Sequence, residues 1–233
     1  QEHQPSYILV LAGDHIYKMD YGMMISTHLA SDADVTVGCV DVPLDEADQY
    51  GIIQINDSYR ITGFQEKPSD PQPKAGRNDV ALASMGIYLF SADFLMDILK
   101  EDAQSKDSSH DFGKDILPSI YREHRVFVCQ LSDIGSSDYG YWRDVGTVDA
   151  YWQANLELTG ITPPLNLYDQ KWPIRSHQYQ LPPAKFIFDD DDRRGMAVDS
   201  MVSAGCIVSG STVRHSLLSN NVRVNSFSII EDS

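Results

Sequence analysis

Six apolar residues near the carboxyl end keep a spacing that few architectures accommodate. Met201, Ile207 and Val213 are six apart, and after a five-residue step Leu218, Val224 and Ile230 are again six apart. Small residues fill the intervals, among them Ser203, Ala204, Gly205, Ser209, Gly210 and Ser211. A six-residue apolar period with small residues between is the signature of a hexapeptide β-helix, in which each coil buries its apolar residues only against its neighbours. Because six is also a multiple of two, a few ordinary strands remain the alternative. A solenoid is closed by a terminal cap, and none follows Ile230 in this sequence, so the coil is expected to be cut short.

Upstream the pattern is different in kind. Tyr7-Ile8-Leu9-Val10-Leu11 is a continuous apolar run ended by Ala12-Gly13-Asp14, the pattern of a strand buried on both faces. Residues 21–31 read as a helix, with Met23, Met24, Thr27 and His28 near helical spacing, and residues 35–40 give a second buried strand. Strand, helix, strand is a right-handed crossover unit. From Gly51 a hairpin follows: Ile52 to Ile55, the turn Asn56-Asp57-Ser58, then Tyr59 to Phe64, closing on Glu66-Lys67-Pro68. A polar loop over 69–79 leads to a strand over 83–90 and a helix over 92–101. The order implies an α/β domain with a mixed, mostly parallel sheet over residues 1–160, a linker over 161–198, and the start of the coiled tail over 199–233.

Charge and composition exclude several functions. With 233 residues and a net charge of −16, the chain repels polyanions, which argues against nucleic acid because such binding needs basic patches on phosphates. No apolar stretch approaches the ~20 residues of a membrane span, and Gln1 to Ser6 lacks the charged-then-apolar start of a secretion signal. The expectation is a soluble, cytoplasmic protein. Cys39, Cys129 and Cys206 are far apart and without metal-type spacing, so they read as reduced thiols.

Acids at strand ends are the first candidates for chemistry. Asp14 sits where a buried strand gives way to a loop, the edge at which open α/β sheets bind ligands. Asp144, beside Gly146 in Tyr141-Trp142-Arg143-Asp144-Val145-Gly146-Thr147, is the second. Two carboxylates from different strand ends can hold one hard cation such as Mg²⁺, which bridges phosphates. Each alone reads more readily as a turn former or helix cap than as a ligand. In Glu66-Lys67 the ammonium suits a monophosphate and the carboxylate accepts bonds from sugar hydroxyls, although such pairs commonly form a solvated surface. Ser84-Met85-Gly86 and Gly51 could bring a hydroxyl or bare backbone close to a sugar, or could simply start strands. His110-Asp111 invites reading as a catalytic pair, but adjacent residues on an element point apart, which favours a capped helix start.

In order, Ala12-Gly13-Asp14-His15, Glu66-Lys67-Pro68, Ser84-Met85-Gly86, His110 to Asp115, Tyr141 to Thr147 and the hexapeptide tail closely resemble the ADP-glucose pyrophosphorylase (glucose-1-phosphate adenylyltransferase) branch of the sugar nucleotidyltransferases. Asn166-Leu167-Tyr168-Asp169 and Trp172-Pro173-Ile174-Arg175 resemble that branch in particular. The resemblance implies a Rossmann-like nucleotidyltransferase sheet with a left-handed parallel β-helix behind it. It implies transfer of an adenylyl group from ATP to glucose 1-phosphate, in an allosterically regulated tetramer serving glycogen or starch synthesis. A plant source would make the location a plastid. By family match Asp14 and Asp144 bind Mg²⁺, Lys67 binds the sugar phosphate, Glu66 and Ser84 bind glucose hydroxyls, and Gly51 meets the sugar through its backbone; Asp14, Asp144 and Lys67 are the catalytic set.

That family opens with a strand and a glycine-rich loop whose Arg and Lys bind the triphosphate at a helix N-terminus. Here Gln1 stands just ahead of the Asp14 strand, so the resemblance implies a segment of a longer protein, inactive on its own. Three other readings compete: a non-catalytic regulatory subunit, a nucleotidyltransferase using UTP, GTP or dTTP, and a hexapeptide acyltransferase, for which only His215 lies in the tail.

Overall fold

The apolar run at residues 7–11 forms strand β1 (Tyr7–Val10) in the computed structural model, which describes residues 4–131 and 140–233. Of the opening hexapeptide read for a secretion signal, residues 1–3 lie outside those described. The elements that follow are β2 (His15–Tyr17), α1 (Tyr21–Ala30), β3 (Val35–Pro43), β4 (Gly51–Ile55), β5 (Ile61–Glu66), β6 (Val80–Ser91), α2 (Ala92–Asp102), a π turn (Phe112–Ile116) running into α3 (Leu117–Ile120), β7 (Val126–Gln130), β8 (Trp142–Asp144) and α4 (Val148–Glu157). The chain divides into two units, Gln1–Gly13 with Tyr17–Trp142, and Asp14–Ile16 with Arg143–Ser233.

In the first unit a six-stranded sheet runs β5-β4-β6-β3-β7, with β1 also on β6. β6 is antiparallel to β1, β3 and β4, β5 is antiparallel to β4, and β3 is parallel to β7. Most strands, β1, β3, β4 and β7, therefore point one way, as the sequence led one to expect, while the ladders on β6 are antiparallel. Alternation along the strands feeds two cores. Val35, Val37, Cys39, Leu82, Tyr88 and Phe90 pack with Leu95 and Leu117, whereas Val40, Val42, Ala83, Met85, Ile87 and Leu89 pack with Met24. Burial on both faces is why β3 and β6 read as continuous apolar runs.

Asp20 caps α1, accepting from the Gly22 amide at 2.8 Å. Met24 and His28 face inward, while Met23 is half exposed. His28 is 2% exposed, and its ring nitrogens lie 2.9 Å from the Thr36 hydroxyl and 3.2 Å from that of Ser91. The hairpin turn is an Asx type: the Asn56 side chain accepts from the Ser58 and Arg60 amides, each at 3.0 Å, with Tyr59 in the left-handed region at φ 61°.

In the second unit the tail is a stack of parallel coils with three strand families. Met196–Val198, Thr212–Arg214 and Ile229–Glu231 form one, Met201–Val202 and Leu217–Leu218 another, and Lys185–Ile187, Ile207–Ser209 and Arg223–Val224 the third. The parallel strands thus begin at Lys185, within the stretch expected as linker. Stacked partners Ala197 and Val213, Val202 and Leu218, and Val208 and Val224 are 16 residues apart, and Val213 and Ile230 are 17 apart. Sides of five or six residues shift the inward register by one from the six-residue reading. Val202 and Val208 join the core in place of Met201 and Ile207, while Val213, Leu218, Val224 and Ile230 pack inward as expected.

Each corner carries a residue in the left-handed region: Asp199, Gly205, Gly210, His215, Asn221, Phe227 and Asp232, with φ between 42° and 80°. Corners stack on one another through backbone bonds, Asn221 N to Ala204 O at 3.3 Å and Phe227 N to Gly210 O at 2.9 Å among them. Buried serines finish the turns. The Ser211 hydroxyl has the carbonyls of Ser209 and Asn225 within reach as acceptors for its one hydrogen, and Ser216 donates to that of Arg214, so neither hydroxyl is left without an acceptor. A short hairpin, Asp189–Asp190 against Arg193–Arg194, is inserted between Ile187 and Met196.

Candidate functional site

The first constellation lies in the second unit, where Asp14 precedes β2 and Asp144 ends its partner β8. The Val145 amide donates to the Asp14 main-chain carbonyl at 2.9 Å, which ties the two backbones together, and the Gly146 amide donates to Asp144 Oδ1 at 2.8 Å, which orients that carboxylate. A methyl at Gly146 would stand 3.0 Å from Asp144 Oδ1 and 3.2 Å from Asp14 Oδ2, so glycine there lets the two acids converge. His15, not singled out from the sequence, completes the group. Its Nε2 is 3.6 Å from Asp14 Oδ1 and 3.9 Å from Asp144 Oδ2, and one atom from each of the three lies within 4.8 Å of the others.

Two carboxylates at that separation repel by about 1 kcal/mol in water and about 3.5 kcal/mol at an effective dielectric of about 20. A cation between them removes that cost. The donor set fits Mg²⁺, which is commonly held by one or two carboxylates and completes its shell with water and phosphate oxygens. Both side chains are open enough for this, 59% and 43% exposed. The imidazole, a softer donor, stands beside the oxygen ligands rather than replacing them.

The second constellation lies in the first unit. Glu66 ends β5 directly opposite Gly51 at the start of β4. A Cβ on Gly51 would meet Glu66 Oε2 and the Phe64 ring at 2.9 Å, and one on Gly113 would meet Oε2 at 3.1 Å. The carboxylate is therefore held between two bare backbones. Burial raises the Glu66 carboxyl above its ordinary range; Lys67 opposes this, Asp111 adds to it and Lys114 opposes it.

Lys67 follows in the left-handed region at φ 43°, its amide bonded to the Tyr50 carbonyl at 3.1 Å. A lysine held there stores strain, the kind of feature found at binding sites. Ser84 opens a bulge. Cys39 pairs with Ser84 while neighbouring Gly38 pairs with Ile87, so Met85 and Gly86 are extra, and Gly86 takes φ 66°. Tyr88 comes from beyond the bulge. Burial pushes its phenol up to about 12, against the lowering bond to Ser84, and the fields of Cys39, Glu66 and Asp111 add to the rise. Ser84, Glu66, Tyr88 and Asp111 thus form one polar cluster. Tyr88 was missed from sequence because a bulge delivers it, and Asp111 and Gly113, read there as a helix start and as part of a motif, were not placed beside Glu66 because a distant turn brings them.

His110 and Asp111 are not a catalytic pair. Asp111 caps the π turn, accepting from the Gly113 and Lys114 amides at 2.8 Å, whereas His110 Nδ1 lies 2.6 Å from Asp102. His215 likewise sits on an exposed corner, 2.6 Å from Asp232. Cys39, Cys129 and Cys206 are all buried free thiols. Among the described residues no helix is long and apolar enough to cross a membrane.

Residues 1–160 match the family described as nucleotidyl transferase, and residues 182–233 match that described as GlmU-like, C-terminal hexapeptide. A glucose-1-phosphate adenylyltransferase of Nitrosococcus oceani is 58% identical over all of this chain and 55% of its own length. Enzymes of the same name from Methylococcus capsulatus and Paramagnetospirillum magneticum are 57% and 55% identical, over 100% and 99% of this chain and 55% of each relative. The chain spans about half the length of the curated relatives it matches. With the polar cluster on a mixed sheet, the converging aspartates and the parallel coils all within the matched segments, the chain belongs to the nucleotidyl transferase family.

Proposed function

We propose that the protein transfers an adenylyl group from ATP to glucose 1-phosphate, giving ADP-glucose and pyrophosphate. The observation that carries this reading is the convergence of Asp14 and Asp144 over Gly146, in a chain whose relatives bear the corresponding enzyme name. Mg²⁺ bound to these two carboxylates supplies neutralising charge to the phosphate oxygens. The Lys67 ammonium holds the sugar phosphate, Glu66 and Ser84 bond the glucose hydroxyls, and the Gly51 backbone lets the ring approach. A phosphate oxygen of glucose 1-phosphate attacks the α-phosphorus of ATP in line. The new anhydride forms as the α–β bond breaks, and pyrophosphate leaves with the bonding electrons. Positioning and charge account for the rate, and no side-chain nucleophile is required. The same reading makes residues 1–160 the catalytic domain of a regulated, tetrameric cytoplasmic enzyme in glycogen synthesis.

The test uses the complete gene product. A charge-assisted bond is worth about 1.5–3 kcal/mol, so Lys67→Gln is expected to raise the KM for glucose 1-phosphate about 10- to 100-fold with little change in turnover. Asp144→Asn is expected to lower kcat about 100-fold. An unchanged sugar-phosphate KM in the first variant removes Lys67 from its role, and faster turnover with UTP, GTP or dTTP than with ATP assigns a different nucleotide.

A further inference from the structure

Between Lys67 and Ser84 the chain runs through the polar loop 69–79, whose middle is held by an ion pair with a buried carboxylate. Lys74 Nζ lies 2.7 and 2.9 Å from the two oxygens of Asp41 and 3.2 Å from Gln130 Oε1, and Gln130 Nε2 returns a bond to Asp41 Oδ1 at 3.0 Å. The Asp41 side chain is 3% exposed and that of Lys74 21%. Asp41 stands near the end of β3 and Gln130 is the last residue of β7. Those are the carboxyl ends of the two parallel strands, the edge at which open α/β sheets place ligands. One ammonium thus ties the loop to two strands at that edge.

Backbone bonds carry the tie on toward β6. The Lys74 amide donates to the Val80 carbonyl at 2.9 Å, the Leu44 amide donates to the Asp79 carbonyl at 3.0 Å, and the turn at Gly76, φ 79°, closes with Arg77 N to Lys74 O at 2.9 Å. Val80 begins β6, which carries Ser84. At the other end the Lys67 amide, in its left-handed conformation, donates to the Tyr50 carbonyl, and the Gln54 side chain donates to the Gln72 carbonyl at 3.5 Å. An exposed pair would contribute little. A pair with one member almost fully buried keeps a single geometry, because leaving Asp41 without its partner costs more than the pair itself contributes.

We propose that Lys74 is a positioning residue of the sugar-phosphate site, fixing the loop so that Lys67 and Ser84 reach one ligand together. The inference rests on the sugar-phosphate reading of that site. Kinetics and thermal melting on the complete gene product test it. Lys74→Met is expected to raise the KM for glucose 1-phosphate about tenfold while kcat and the KM for ATP stay within about twofold, and Lys74→Arg, which can rebuild the bidentate bond to Asp41, is expected to recover most of the loss. If Lys74→Met does not fold, Lys74→Met with Asp41→Asn removes the stranded charge and is expected to show the same selective KM rise. A wild-type sugar-phosphate KM in the folded variant overturns the proposal and leaves the proposed activity standing, as does an equal fall in every parameter. Wild-type protein that turns over ATP only with a different sugar phosphate overturns both.

Discussion

The β6-centred sheet and the coiled tail are both built from strands, yet their register is set by opposite means. In the sheet, burial on two faces fixes it: a one-residue slip of β3 would exchange Val35, Val37 and Cys39 with Thr36, Gly38 and Val40 and spoil both cores at once. In the tail, each short strand sends one or two residues to a narrow core, and the corners decide where the next side begins. Asp199, Gly205, Gly210, His215, Asn221, Phe227 and Asp232 recur at the same five- or six-residue steps as the inward residues. A solenoid can therefore tolerate an apolar residue out of phase that a two-faced sheet cannot.

The contrast breaks most severely at Phe90, which is fully buried. Phe90→Ala is expected to cost about 3–5 kcal/mol, read as a lowered urea midpoint of the first unit. A sharper test compares neighbours in the tail. Val208→Ala should cost about 2 kcal/mol and Ile207→Ala no more than about half of that; a larger loss at Ile207 than at Val208 in chemical denaturation would restore the simple six-residue register. Gly205→Ala follows, at about 1–2 kcal/mol, because its φ of 80° disfavours any side chain and the added methyl would meet the Asn221 carboxamide. A loss no larger than that of an exposed Gly→Ala change elsewhere would remove the corners from their role.

The smallest effect belongs to His28. Burial lowers its pKa, with Asp34 and Asp32 pulling the other way, so the folded protein favours the neutral ring. The stability it contributes is complete above the ordinary histidine pKa, near 6.5, and is lost as pH falls through the lower folded value. Urea midpoints should decline between pH 7.5 and 5, and His28→Gln should flatten part of that decline.

Strands with long two-sided apolar runs were legible because their pattern and their burial coincide. β1, β3, the β4–β5 hairpin and the core of β6 all fall where the sequence placed them. Glu66 and Asp144 end their strands and Lys67 and Asp14 stand just beside one, where the sequence had them, whereas Ser84, read as a strand start, lies within β6. Their neighbours were not legible. Tyr88 reaches Ser84 only because Met85 and Gly86 are looped out of the ladder, and Asp111 faces Glu66 only because its turn brings Gly113 against the same carboxylate. The pairing of Val208 rather than Ile207 with the core was hidden for a related reason. A period of six describes an average, and the 16- and 17-residue coils depart from it one side at a time.

The hairpin between Ile187 and Met196 shows what such a stack permits. Phe186 and Val208 are 22 residues apart yet stack in register as neatly as pairs 16 apart, so the added length is absorbed at a corner and never reaches the next coil. Insertion there is a local event. A foreign peptide spliced between Asp191 and Asp192 should be carried on the outside of the scaffold like a display loop, which makes this corner a natural place for lineages, or engineers, to add recognition without redesigning the core.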